Sequence, residues 1–552
     1  MYSRLVAAIR QKRTIQLFVL FILILQLGQY MFLYTRANRI TPTGHVHTIE
    51  NVDAYYPDVI RQAKMGAWAH TYSLTTEPTS PIYTYLFFIA AGKVAALGDI
   101  DPVIMYEITR VTGGIAVILT TYWLISLLFP ISLQFPALCF ALMLETGPEW
   151  SRMFSAAPWH WTAALPPQAV IARHFGLPHH TWSEAFGLAL LAVVIIEMKK
   201  RTWYMPLGLL FFSICGPLIN PTYFLILISC VFPIWILYSY KIGTISTALI
   251  PIVFSTVGVL CAGLFTKSQF LVGPPWNAVI ASEKSWWTTE YILTPFIQSF
   301  GLYYPFVVVL FILIPMTWRH WSRSMRQIFF LSLGWSFLPV GLIYISALPW
   351  VPLVNGRIAS DLTPVPIALL STLAFYAVTR MQYGMSVARI VLCVVLGITV
   401  GISGILSVRY HALTIEDQNA SIQHKGNSFT LYPTIALWEG MMELKKLPPW
   451  SHVMILPRMG DILMAYMPIH VYQGQPHDGD VDWLERRGVS HRFYTGEMSR
   501  EELKAVFTYN NISYVFVGPE EKYPRVTKEF YPDILTVIFS NDEVTIYKVT
   551  GL

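Results

Sequence analysis

Charge is scarce in this chain. Asp, Glu, Lys and Arg make up 13% of its 552 residues, against roughly 25% in a water-soluble globular protein. That deficit excludes a chain wetted over its whole surface. The formal net charge is only +6 and lies in short clusters, which excludes the dense basic footprint of a nucleic-acid binder. Cysteine is scarce as well. Cys139, Cys215, Cys230, Cys261 and Cys393 all lie within apolar runs, and none has a CxxC or Cys/His metal spacing. A disulfide framework and a zinc module are thereby excluded. No Walker loop, Rossmann glycine fingerprint, zinc-protease signature or Gly-x-Ser-x-Gly elbow occurs, which leaves soluble cofactor enzymes poorly supported. There is no repeat of 20–50 residues and no low-complexity tract.

What is abundant is apolar sequence: 54% of residues are hydrophobic and the mean hydropathy is +0.50. Apolar segments fall at about 15–34, 82–98, 110–129, 131–146, 184–198, 203–219, 222–240, 245–265, 301–317, 327–347, 364–379 and 389–408. A bilayer core needs about 20 apolar residues per helix, so the expected architecture is an all-α polytopic membrane domain of 11–13 transmembrane helices. The first run follows Arg4, Arg10, Lys12 and Arg13. It is too long for a signal-peptide core and lacks a small-residue cleavage site, so it reads as a retained anchor.

Basic clusters orient the segments. The N-terminal cluster, Lys199-Lys200-Arg201, Lys241, Arg319 with Arg323 and Arg326, and Arg380 with Arg389 mark the cytoplasmic side. One crossing per segment from Lys199 onward returns each cluster to that side. The loops 35–81, 147–183, 266–300 and 348–363 are then outer, as is everything after Arg409. One parity conflict remains, because four segments between the first outer loop and Lys199 end on the wrong side. A bend at Pro130 or an extra crossing within 150–175 would repair it.

Residues 1–409 thus read as the membrane domain and 410–552 as a small extracytoplasmic α/β domain. In the latter, Ile435–Leu447 reads as an amphipathic helix and Ser499–Tyr509 as another. His452–Leu456, Ser513–Val517, Ile534–Ser540 and Val544–Val549 read as strands.

Chemistry concentrates in the loop after the first span: Asn51-Val52-Asp53-Ala54-Tyr55-Tyr56-Pro57, then Arg61, Trp68 and Glu77-Pro78. Two acids at the membrane surface supply what general-base catalysis on an acceptor hydroxyl requires. The same residues fit a helix cap (Asp53) and a solvated loop acid (Glu77). His174, His179 and His180 precede Trp182 and Glu184, a group suited to orienting an acceptor. A metal site needs three or four converging ligands, more than can be placed here, so no metal ligand is assigned, no cofactor is named and a divalent-metal requirement stays open. Trp159, Trp161, Trp182, Trp276, Trp286 and Trp287 lie in outer loops and read chiefly as an interfacial aromatic belt.

Asp53-Ala54-Tyr55-Tyr56, the following Ile60-Arg61-Gln62 and Glu77-Pro78 resemble the first outer loop of the GT-C superfamily. These are polytopic glycosyltransferases using polyprenyl-phosphate sugars, such as protein mannosyltransferases and the aminoarabinose transferase of lipid A. The similarity is greatest to bacterial membrane proteins of this type. It extends to the His-rich loop, to Arg357 in Asn355-Gly356-Arg357, and to Tyr514-Val515-Phe516-Val517-Gly518-Pro519. The superfamily's second acidic motif has no clean counterpart (Glu149 and Glu184 are the candidates), nor is there a Trp-Trp-Asp-like signature.

The resemblance implies a glycosyltransferase of the plasma membrane that moves a sugar, with inversion, from a polyprenyl-phosphate donor to a glycan, lipid or protein acceptor on the non-cytoplasmic face. Asp53 would be the base, with Glu77 in support, and Arg357 the clamp on the donor phosphate. Tyr55, Tyr56, Arg61, His179, His180 and Glu184 would line the substrate site. Arg357 also fits a snorkelling interfacial residue. The competing expectation is a transporter or an inactive assembly protein of the same fold. A transporter should carry ionisable groups at mid-bilayer and repeated broken helices. The apolar runs here are nearly free of charge apart from Lys93 and Glu197 near segment ends.

Overall fold

A computed structural model describes residues 2–40, 55–143, 177–200, 203–273, 275–277, 303–346, 358, 363–380, 394–395, 397–399, 434–474, 483–522 and 531–552. It divides into two compact units. One comprises Met1–Gly28, Arg110–Thr266 and Trp286–Ala412; the other comprises Gln29–Thr109, Lys267–Ser285 and Leu413–Leu552.

The described helices up to residue 380 are α1 (Tyr2–Ile40), α2 (Tyr55–Lys64), α3 (Leu86–Leu97), α4 (Pro102–Leu128), α5 (Ile131–Met143), α6 (Pro178–Lys199) and α7 (Met205–Ile219). They continue with α8 (Pro221–Lys241), α9 (Ile245–Gln269), α10 (Tyr304–Thr317), α11 (Arg323–Ser346) and α12 (Val365–Arg380). Six of them carry stretches long and apolar enough to cross a membrane: Ile9–Gly28 within α1, and α4, α6, α8, α9 and α11. Proline sits inside α5, α7, α9, α10 and α11 (Pro136, Pro217, Pro251, Pro315, Pro339). Membrane helices tolerate this because neighbouring helices re-satisfy the freed carbonyls. In α8 the missing N–H of Pro233 coincides with a widened π-turn at Leu227–Val231, a usual accommodation of a broken hydrogen-bond ladder.

Contacts at helix ends in the first unit bear on the parity conflict. Lys199, at the end of α6, donates to the Leu127 carbonyl at the end of α4, 2.8 Å away. The two helices therefore finish on one face, the face that the positive-inside reading of Lys199 assigns to the cytoplasm. The other basic residues gather likewise. Arg323 donates to Ile242 O, Tyr238 Oη donates to Arg323 O at 2.9 Å, and Arg326 stacks over Trp318. Arg380 stacks over Tyr376, whose ring meets Trp321.

For α4 to end on that face after one outer loop, segment 82–98 must not cross. It is the helix α3, of 12 residues, the shortest of the five apolar helices of 10–17 residues among the described residues. Its Gly92 lies so close to α2 that a Cβ would stand 2.4 Å from Ile60 O and 2.5 Å from Ala63 Cβ. A segment 82–98 that does not cross would satisfy the parity conflict without a bend at Pro130; the alternative crossing within 150–175 lies outside the described residues. With α3 set aside, ten of these described helices remain, α1 and α4 to α12; most of the apolar segment 389–408 lies outside the described residues. In a cysteine-free background, Gly98→Cys should react with a membrane-impermeant maleimide added outside, and Lys200→Cys only after permeabilisation. Labelling of both from the same side would defeat this topology.

The second unit holds the α/β elements: α13 (Ile435–Leu444), β1 (Ser451–Met454), α14 (Pro457–Tyr466), β2 (Ile469–Val471), α15 (Trp483–Tyr494), α16 (Arg500–Tyr509), β3 (Tyr514–Val517), β4 (Leu535–Ser540) and β5 (Thr545–Val549). The sheet order is β2-β1-β3-β5-β4, with β1 parallel to β2 and β3, and β5 antiparallel to β3 and β4. Register pairs include His452 with His470 and Val515 with Tyr547. Ser499 and Thr434 cap α16 and α13, as their sequence positions indicate. Met454, Phe493, Tyr494, Leu503, Phe507 and Val515 form the core beneath the sheet.

A buried acid braces the start of α14. Glu521 accepts from Leu456 N at 3.0 Å and Gly518 N at 2.9 Å, and Glu520 accepts from Met459 N. Burial, with Glu520 adding repulsion, pushes the Glu521 carboxyl up from its ordinary value to about 8. The folded state therefore holds a proton that the unfolded chain releases near pH 4 to 5. The associated stability is complete below that range and is lost as pH rises through about 8. Thermal unfolding of the purified protein in detergent should move to lower temperature between pH 5 and pH 8. Glu521→Gln should flatten that slope, and an equal slope in both would refute the assignment.

Candidate active site

Tyr55 and Tyr56 open α2, and both rings are buried. Tyr55 Oη hydrogen-bonds to His70 Nε2. Around this pair stand Tyr72 at 5.7 Å and Tyr85 at 5.5 Å from the Tyr55 ring. Trp276 stands 5.3 Å from His70. Tyr56 stacks on Phe88 of α3 at 4.4 Å. His70 is fixed in turn by a two-way backbone bridge to Ile82, 3.0 Å in each direction. Burial drives its imidazole down to about 3, the Ile82 carbonyl pulling weakly the other way, so it is neutral at physiological pH. Tyr85 has φ 59°, the left-handed region that a bulky residue enters only where its surroundings hold it. Trp276 is fully buried and donates Nε1–H to Ser80 O at 2.8 Å. The belt reading is corrected at this position: the indole is core.

One turn further along α2 is a charged cluster. Asp58 is completely buried and pairs with Arg61 at 3.0 Å. Gln62 Nε2 donates to its other oxygen at 2.9 Å. Burial pushes the Asp58 carboxyl up, and Arg61, Ser73 and Gln62 pull it back. The Arg61 guanidinium, also buried, donates to Met464 O at 2.6 Å, to Met467 O at 3.1 Å and to Ala465 O. These are carbonyls at the end of α14, where a helix leaves its last acceptors without intrahelical partners. Arg61, expected at a substrate, is taken up by the protein itself. Removing one member of a buried pair typically costs about 3–5 kcal/mol, because the other charge stays buried and unmatched.

Glu77 pairs with Arg486 of α15. Arg486 in turn donates to Tyr472 O at 2.8 Å and lies over the Tyr472 ring. A carboxylate held by a guanidinium is a fastening, and the surroundings of Glu77 support that role better than that of a second base. The loop between these points joins the sheet edge, where Val471 N donates to Ser73 O at 3.1 Å. Thr76 Oγ1 donates to Asn510 Oδ1 at 3.2 Å. A Cβ at Gly474 would stand 2.2 Å from Leu74 Cδ2.

In the first unit, the start of α6 gathers the other expected residues. His179 and His180 have ring centroids 4.4 Å apart. His180 Nδ1 lies 3.3 Å from Asn220 Nδ2, and Ser183 Oγ donates to Asn220 O. Glu184 is fully buried and accepts from Thr363 Oγ1. The start of α6, the turn at Asn220 and the approach to α12 thus meet at the end of α6 opposite Lys199.

Asp53, Arg357, His174 and Glu149 lie outside the described residues. Among the described residues no group of three or more His, Cys, Asp or Glu could hold a metal ion. Asp58, His70 and Arg486 were not anticipated. The spacing Asp58-x-x-Arg61 was a usable signal, since residues three apart on a helix are neighbours. The link from Glu77 to Arg486 had no local signal at all.

No protein-family model matches the sequence, and no curated protein does either. Solved structures do match. ArnT from Cupriavidus metallidurans bound to undecaprenyl phosphate aligns with TM-score 0.53 and 11% identity, covering 97% of each chain. The apo state of that protein aligns with TM-score 0.50 and 10% identity, over 96% of this chain and 98% of that one. The Archaeoglobus fulgidus oligosaccharyltransferase in complex with Zn and sulfate aligns with TM-score 0.49 and 12% identity, over 96% of this chain and 72% of that one. The chain is a multi-pass membrane protein with the GT-C fold that its first outer loop resembles, followed by a small five-stranded α/β region.

Proposed function

We propose that this protein is an inverting membrane glycosyltransferase that moves a sugar from a polyprenyl-phosphate carrier to an acceptor on the non-cytoplasmic face. The observation that carries this reading is the end-to-end likeness in fold to a structure bound to undecaprenyl phosphate, over 97% of both chains. A lipid-linked donor stays at the bilayer, so its site belongs where outer loops meet helix ends. Asp53, two residues ahead of α2, takes the proton from the acceptor hydroxyl. Arg357 holds the leaving phosphate with paired, charge-assisted hydrogen bonds. Tyr55 and Tyr56 frame the acid loop, and His179, His180 and Glu184 orient the acceptor. The tail shares a compact unit with the first outer loop and lies with it outside the cytoplasm.

The test supplies purified protein with undecaprenyl-phosphate-linked hexoses and pentoses and follows release of undecaprenyl phosphate in the presence of membrane glycolipid or peptide acceptors. Acceptor-dependent release, with the product's anomeric configuration opposite to the donor's, is expected. Absence of release with every donor, alongside uptake of a solute into vesicles, would favour a transporter instead.

A further inference from the structure

We propose that the ends of α8, α10, α11 and α12 form a binding site for an anionic phospholipid, whose headgroup phosphate lies against Arg319, Arg323 and Arg326. All four helices belong to the first unit, and the site stands whether or not the protein transfers sugar. It lies on the face that the positive-inside reading assigns to the cytoplasm. Lys241, Arg319, Arg323, Arg326 and Arg380 supply fixed positive charge there, and His320 adds a titratable group. The described stretches 203–273, 303–346 and 363–380 contain no Asp or Glu, so these helices bring no carboxylate to balance the cations. Lys241, Arg319, Arg323 and Arg380 are exposed. Basic pockets between spans on this side of a membrane are suited to anionic headgroups.

Aromatic rings hold two of the guanidinium groups in place. Arg326 lies over the Trp318 ring at 5.2 Å, and Arg380 over the Tyr376 ring at 5.2 Å. The rings form one ledge: Trp318 stands 5.5 Å from Trp321, and Trp321 stands 6.0 Å from Tyr376. Trp321 is buried and donates Nε1–H to Thr317 Oγ1 at 3.1 Å. A guanidinium stacked on a fixed ring gives up less freedom when it takes an anion. Helix ends use part of the donor capacity. Arg323 donates to Ile242 O after α8, and Arg326 to Trp318 O at 3.1 Å after α10. Those bonds cap helices, but a guanidinium has five N–H donors and each uses one here. Arg319 makes no hydrogen bond or ion pair among the described residues. Apolar neighbours favour a lipid over a soluble anion. Leu237 of α8 is 68% exposed, and Ile312 and Met316 of α10 are 62% and 63% exposed. Each lies within about two turns of the cluster along its helix, and apolar surface on a membrane helix faces acyl chains. A phosphate carrying acyl chains satisfies both surfaces; a soluble anion satisfies only the cations.

The full chain in neutral detergent is titrated with phosphatidylglycerol and with phosphatidylcholine of the same acyl chains, and bound lipid is counted by native mass spectrometry. Phosphatidylglycerol should bind about tenfold tighter, and the preference should shrink as salt is raised. Arg319→Gln should weaken phosphatidylglycerol roughly fivefold, the effect of one cation beside a headgroup. Its Tm should not change, because no described contact depends on that side chain. Arg326→Gln should weaken binding about tenfold, the loss of a charged hydrogen bond. It also lowers Tm through the Trp318 contacts, so Arg319→Gln is the decisive variant. Lys200→Gln removes a basic residue that follows α6 on the same face, and it should leave binding as it was. An equal loss in Lys200→Gln would reduce the site to diffuse surface charge and overturn the proposal. Unchanged binding in both arginine variants would overturn it as well, leaving those residues as topology signals and helix caps. Release of phosphatidylglycerol by an equal concentration of inorganic phosphate would assign the site to a free anion and sink the lipid assignment.

Discussion

Asp53→Asn should lower sugar transfer by about 10²–10⁴-fold, the range of a general-base contribution, while the protein inserts and folds as before. Asparagine matches aspartate in size and in most of its hydrogen bonding but lacks a basic oxygen, so the substitution isolates proton transfer. Asp53 stands two residues ahead of Tyr55, the first residue of α2, and the competing sequence reading makes it a helix cap. Asn caps about as well as Asp. A purely structural Asp53 would therefore tolerate the change, whereas a base would not. Turnover per folded molecule, with α2 exchange as the control for capping, separates the two. An Asp53→Asn variant that retains activity removes Asp53 as the base, and the enzyme reading then stands on fold likeness, which does not by itself imply chemistry.

The spans were legible because a bilayer imposes one simple constraint, a long run of apolar residues, and the basic clusters then orient the runs. Helix α3 strains that logic. The run 82–98 is as apolar as a span, but only 12 of its residues are helical, and Gly92 packs closely on α2. Hydropathy cannot tell a short helix packed on a neighbour from a crossing; the parity conflict at Lys199 is the sequence signal that bears on the choice. In the tail, periodicity identified α16 and the longer strands. Helix α14 and the three-residue β2 were missed, since Pro457 follows β1 almost directly and short elements carry little periodicity.

The same division runs through the site. Asp53, Tyr55 and Tyr56 stand out in sequence because they carry the resemblance of the first outer loop. The partners of Arg61 and Glu77 do not stand out. Three of Arg61's acceptors are backbone carbonyls, which any residue could provide, so nothing in the identities of Met464, Ala465 or Met467 records the contact. The resemblance assigns Arg61 to the substrate site and Glu77 to the support of the base, because it speaks to residue types and not to their partners. Their actual counter-groups belong to the tail, and only the fold brings them close.

The second large effect concerns Arg357. If its guanidinium neutralises the departing lipid phosphate, Arg357→Ala should lower kcat by about 10²–10³-fold, the loss seen when one preorganised donor to a developing anion is removed. Arg357→Lys should fall between Ala and the unaltered protein: the positive charge survives, but one ammonium cannot make the two parallel bonds of a guanidinium fork. The order Arg, Lys, Ala is the informative outcome, because charge and geometry are removed in turn. A residue that merely snorkels to lipid head groups predicts another pattern. Lysine snorkels as well as arginine, so Arg357→Lys would then be silent, and Arg357→Ala would change insertion or thermal stability with little change in turnover per folded molecule. Measuring kcat and KM for an undecaprenyl-phosphate-linked sugar in all three proteins decides the matter. A loss confined to KM would mean that Arg357 holds donor and transition state equally, since only interactions that strengthen toward the transition state raise kcat.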